Sequence, residues 1–125
     1  MASYGICELS IVPCRKEPSD GSEMVTQLLF GEPVIVGAKE KDWYHIKNIF
    51  DGYQSWVDKK QVRIISDKVF QQIQESPLSF SGELIQVVQQ EQQEIGFPVL
   101  IGSHLPLYKN HSFYIEKDKY SFFTH

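Results

Sequence analysis

Residues 12–36, VPCRKEPSDGSEMVTQLLFGEPVIV, carry the pattern on which the fold turns. Two apolar runs, MVTQLLF and VIVGA, flank Gly31-Glu32-Pro33, where glycine and proline mark a bend between strands or a kinked strand. Ahead of them, Pro18, Ser19, Asp20 and Gly21 gather the residue types of a loop. SDGSE reads as a turn that enters one helical turn over 22–25. Upstream, residues 6–12 put Cys7, Leu9 and Ile11 on one side of an alternating pattern, the period of a half-buried strand in which Cys7 is a small core residue.

Downstream, WYHIKNI (43–49) alternates again. Trp43, His45, Lys47 and Ile49 share one side, and Tyr44, Ile46 and Asn48 the other. FDGYQSWV supplies an Asp-Gly turn signal followed by a short aromatic strand, and VRII (62–65) ends the series. Five or six short β segments joined by tight turns are the signature of a small barrel. Ser66 is placed to cap a helix, DKVFQQIQ, with Val69, Phe70 and Ile73 at helical spacing, stopping near Ser76-Pro77. Strand patterns then return in LIQVVQQ, FPVLIG and SFYIEKDKYSFF. The last reads as a hairpin turning at 117–119, with Phe113 and Ile115 before the turn and Tyr120 and Phe122 after it.

Composition narrows the function classes. A chain of 125 residues with 42% hydrophobic and 22% charged residues is globular and long enough to bury a core without staples. Its net charge of −4 shows no basic clustering, so no nucleic-acid partner is expected. No stretch approaches the length of a membrane span, MASYGICELS lacks the features of a signal peptide, and a cytoplasmic location with no membrane partner is expected. Two cysteines, Cys7 and Cys14, are too few for a disulfide framework or a four-ligand zinc site.

Cys14 lies beside Arg15 and Lys16, cations that can lower a thiol pKa. Nucleophilic catalysis also needs a base within reach, and His45, His104, His111 and His125 stand in contexts that suggest no convergence, so Cys14 reads as structural. His104 and His111 lack ligand spacing, and SDGSE lacks the array of a calcium loop, so no metal and no cofactor is expected. Trp43 and Trp56 read as barrel packing.

The spaced series VPCRKEPSDGSEMVTQLLFGEPVIV, DWYHIK and DGYQSWVDKKQV resembles the bacterial SH3 domain. More narrowly, it resembles the N-terminal part of cysteine peptidases of the NlpC family, the γ-D-glutamyl-L-diamino acid endopeptidases that trim cell-wall muropeptides. In those enzymes a bacterial SH3 domain is followed by a linker helix, a second SH3-like barrel and a papain-like catalytic domain. VLIGSHLPLYKN resembles the start of the second barrel, and nothing here resembles the catalytic domain. The resemblance implies a mainly β chain: a bacterial SH3 domain over 4–65, a linker helix over 66–79 and a second, incomplete SH3-like unit over 80–125. It also implies a substrate-recognition portion, not catalytic alone, whose partners are the catalytic domain of the same polypeptide and a muropeptide with a free N-terminal L-alanine. Glu17 matches the loop that reads the alanine ammonium, and Tyr53 matches a tyrosine near the same group. The alternative is a free-standing SH3-like module that binds cell-wall peptide or a protein partner.

Overall fold

The computed structural model describes residues 3–76, 79–80, 85–91, 95–100, 102–109 and 112–122. Seven strands form the first antiparallel sheet: β1 (Ser3–Ile6), β2 (Ile11–Arg15), β3 (Met24–Leu29), β4 (Pro33–Glu40), β5 (Trp43–Asn48), β6 (Gln54–Asp58) and β7 (Arg63–Ile65). Their order is β3-β2-β6-β5-β4-β1-β7. After helix α1 (Asp67–Glu75), strands β8 (Ile85–Gln90), β9 (Ile95–Leu100), β10 (Ser112–Ile115) and β11 (Asp118–Phe122) form a second sheet in the order β10-β11-β8-β9. With 54% strand and 12% helix, the protein has the mainly β class that the sequence implies.

Local chemistry explains most boundaries. Gly31, at φ +82°, makes the bend between β3 and β4, and the Glu32 carboxylate accepts from the Leu29 amide at 2.7 Å to close it. Between β5 and β6, the side chains of Asn48 and Asp51 accept from the amides of Phe50 and Tyr53, while Gly52 takes φ +73°. Ser66 caps α1, its hydroxyl accepting from the Val69 amide at 3.1 Å, and Phe70 and Ile73 are buried.

Three expectations are corrected. Residues 6–12 are not one strand: Cys7 is fully buried but Leu9 is 45% exposed, because the chain leaves β1 beside β4 and crosses to β2 beside β3 and β6. The Cys7 carbonyl instead accepts from the Gly31 amide at 2.7 Å. Residues 22–25 form no helical turn, since Met24, Val25 and Thr26 are already strand, with Met24 opposite Arg15 and Thr26 opposite Cys14. The last hairpin turns at Glu116-Lys117 rather than 117–119, Ile115 pairing with Asp118 and Glu116 taking φ 53°.

Between the sheets lies a shared core. Phe30, from the β3–β4 bend, packs on Phe97, Phe113 and Tyr120 of the second sheet, with ring centroids 5.2, 5.7 and 5.6 Å away. Ile6, Ile65, Phe70 and Ile73 join the same cluster. A second cluster, Cys7, Val12, Cys14, Leu28, Val34, Val36, Ile46, Val57 and Val62, fills the first sheet alone. Polar bonds follow the seam. Arg63 Nη1 reaches Glu8 at 2.9 Å and Asp118 at 2.7 Å, Tyr120 donates to Glu8 at 2.8 Å, and the Ser66 amide donates to Glu116. Ser10 Oγ donates to the Pro98 carbonyl on β9.

Candidate functional site

The loop after β2 is closed by its own hydrogen bonds. The Lys16 amide donates to the Glu23 carbonyl at 2.9 Å, and the Glu17 amide to Ser22 Oγ at 2.9 Å. The Ser19 amide donates to the Glu17 carbonyl, and Arg15 Nη1 to the Ser22 carbonyl at 3.2 Å. Ser22 therefore ties both sides of the loop. The Glu17 side chain is left exposed.

Tyr53 enters β6 from the Asp51-Gly52 turn and is 45% exposed. Strand β2 pairs with β6 through Arg15 opposite Trp56, and the two run antiparallel. The chain leaving β2 toward Glu17 and the chain entering β6 from Tyr53 thus lie at one end of the pair. A carboxylate and a phenol presented together can accept from and donate to a small polar ligand.

The thiols have other surroundings. Burial pushes Cys14 up to about 11 and Cys7 up to about 12, and Cys14 lies against the Ser55 hydroxyl inside the first sheet. Arg15, though next in sequence, alternates to the outer face. Neither thiol is primed to ionise at neutral pH. His104 is buried, its Nδ1 2.6 Å from the Gly31 carbonyl, and burial lowers its pKa. His111 and His125 lie outside the described residues.

Trp43 and Trp56, read as barrel packing, are half-buried on the outer face rather than members of either core cluster. The sequence reading missed a row across that face: Met24 opposite Arg15, Arg15 opposite Trp56, and Trp56 opposite His45. The His45 and Trp56 rings meet edge to face, centroids 5.2 Å apart. Alternation had placed Trp43, His45 and Lys47 on one side, but only the order β2-β6-β5 brings Arg15 to them.

Residues 14–62 match the family model of the bacterial dipeptidyl-peptidase SH3 domain. Among solved structures, an NlpC/P60 family protein from Bacillus cereus ATCC 10987 superposes with a TM-score of 0.73 at 15% sequence identity, over 94% of this chain and 53% of that one. The present chain spans about half the length of that structure. No curated protein matches the sequence. Residues 14–62 are thus similar to a bacterial SH3 domain of the dipeptidyl-peptidase type, within a chain whose fold over nearly its whole length resembles that of an NlpC/P60 family protein.

Proposed function

We propose that the chain is the substrate-recognition portion of a muropeptide-cleaving cysteine endopeptidase, whose catalytic domain belongs to the same polypeptide beyond these 125 residues. Glu17 pairs with the free ammonium of an N-terminal L-alanine, and the Tyr53 hydroxyl completes that pocket, in an enzyme working in the cytoplasm. The observation that carries this reading is the exposed Glu17 carboxylate, held on a loop closed by Ser22, at the same end of the β2–β6 pair as Tyr53. A charge-assisted bond there distinguishes free amino termini from blocked ones. The buried, unactivated thiols and the fold shared with an NlpC/P60 protein support placing catalysis elsewhere.

In the full-length protein, Glu17→Ala should lower kcat/KM for L-alanyl-γ-D-glutamyl-diamino acid peptides far more than for their N-acetylated forms; equal losses on both would refute the role of Glu17. The chain alone should leave such peptides uncut, and turnover that disappears in Cys14→Ser would overturn the division of labour. The core shared between the sheets is compatible with a second reading, a free-standing module for cell-wall peptide or a protein partner. A native product without cysteine peptidase activity, yet binding the same peptides, would establish it.

A further inference from the structure

We propose that Asn48 is a positioning residue of the candidate site: it fixes the turn that presents Tyr53 and, through Glu32, ties that turn to the bend on which the second sheet is seated. This deepens the reading of Tyr53 given above and rests on it for the identity of the ligand. Asn48 ends β5 on the side that faces the core of the first sheet with Ile46, and it is only 6% exposed. An apolar residue would fill that place at lower cost, since a buried amide must find partners for its polar groups. Asn48 finds them in the turn. Its backbone amide donates to the Tyr53 carbonyl at 2.9 Å, its carbonyl accepts from the Gly52 amide at 2.8 Å, and its side-chain oxygen accepts from the Phe50 amide at 2.8 Å. The bonds that shape the turn thus converge on one residue.

The side-chain nitrogen of Asn48 donates to the Glu32 carboxylate, which also accepts from the Leu29 amide. Glu32 belongs to the bend that carries the second sheet. Beside it, the Gly31 carbonyl accepts from His104 Nδ1 at 2.6 Å, and the Phe30 carbonyl from the His104 amide at 2.9 Å. The Pro33 carbonyl accepts from the Ile49 amide at 3.2 Å, a further bond between bend and turn. The turn meets the same histidine directly, because the Phe50 ring packs edge-on against His104 with centroids 5.2 Å apart. His104 lies in the segment joining β9 to β10. The turn is therefore held at its base by the bend and through Phe50 by the second unit, so the presentation of Tyr53 follows the seating of the second sheet.

The test follows amide hydrogen exchange in the 125-residue chain. Asn48→Asp keeps an oxygen for the Phe50 amide but turns a carboxylate toward Glu32. The Asn48 and Gly52 amides should then exchange roughly tenfold faster, as expected for the loss of a bond to a charged group, while amides of the β2–β3 pair keep their rates. Adding Glu32→Gln returns a donor to the pair and should restore slow exchange. A uniform rise across the chain, or no recovery in the double variant, would make Asn48 ordinary core and overturn the proposal. His104→Ala should speed the same turn amides more than those of β2–β3; turn amides indifferent to it would overturn the link to the second sheet.

Binding separates the proposal from the reading beneath it. Asn48→Asp should weaken binding of an L-alanyl-γ-D-glutamyl-diamino acid peptide by about threefold or more with Tyr53 in place, and by less than about twofold in Tyr53→Phe, because the two residues act through one contact. Equal losses in the two backgrounds would overturn the positioning role. A Tyr53→Phe chain that binds the peptide as well as the unaltered one would instead end the reading of Tyr53 as a ligand group, while exchange still decides whether Asn48 holds the turn.

Discussion

The seam between the sheets and the loop end of the β2–β6 pair use similar residue types for opposite ends. At the seam, Glu8, Arg63, Asp118 and Tyr120 spend their polar atoms on one another, across an apolar cluster centred on Phe30. At the loop end, backbone and Ser22 satisfy one another, and the Glu17 and Tyr53 side chains are left to solvent. The seam gains stability by consuming its functional groups. The loop keeps its functional groups available by closing itself with the backbone.

Breaking the seam should therefore cost far more than altering the loop. The largest effect is expected for Gly31→Ala. A Cβ at this position would meet the His104 carbonyl oxygen at 1.9 Å, and the backbone is held at φ +82°. Backbone cannot yield as a flexible side chain does, so a loss of about 3 kcal/mol or more is expected in denaturant unfolding. A loss below about 1 kcal/mol would show that the second sheet is not firmly seated on the bend.

Next comes acidification. His104 donates from Nδ1 to the Gly31 carbonyl and packs edge-on against Phe50 at 5.2 Å, a shell that favours the neutral ring. Its folded-state pKa lies below the ordinary histidine value, so its contribution is full above pH ~6.5 and is lost as the pH falls toward the lowered value. Across that window the slope reaches at most about 1.4 kcal/mol per pH unit. The half-buried Glu32 carboxyl, its pKa raised by burial, works in the opposite sense as it gains a proton. Comparing the chain with His104→Asn, which can still donate to Gly31 but does not titrate, isolates the histidine. Equal pH slopes in the two would rule it out as the acid-sensitive point.

What the sequence revealed and what it concealed divides along the same line. The bend at Gly31, the Asp51-Gly52 turn and the Ser66 cap were readable because each is set by a residue and neighbours within a few positions. The break between Ile6 and Ile11 was hidden, because the alternation of Cys7, Leu9 and Ile11 runs through it. Only the pairing of β1 with β4 and β7 requires the chain to cross there. The seam was invisible as well, since Tyr120 meets Glu8 across 112 residues and Arg63 meets Asp118 across 55. In the site, resemblance pointed to Glu17 and Tyr53. The Arg15–Trp56–His45 row needed strand order, which no local pattern encodes.

Within the seam, the ion pairs are expected to matter less than the packing. Arg63→Gln removes both bonds to Glu8 and Asp118, but the arginine side chain is 32% exposed and water partly compensates the two acids. A loss of about 1 kcal/mol is expected, shrinking in high salt. An effect as large as that of Gly31→Ala would mean that charge, rather than the Phe30 cluster, holds the sheets together.

The smallest effect on folding is expected at the loop. Glu17→Gln keeps the shape and leaves the bond from the Glu17 amide to Ser22 Oγ untouched, because backbone makes it. Stability should change by less than about 0.5 kcal/mol, the range of exposed substitutions that touch no packed feature. The same variant should bind free-amine and acetylated peptides with nearly equal affinity, having lost the charge that separates them. A carboxylate whose removal costs selectivity but no stability is positioned for a ligand. If Glu17→Gln instead destabilised the chain by as much as Arg63→Gln, the loop would be a structural element like the seam, and the contrast between the two regions would fail.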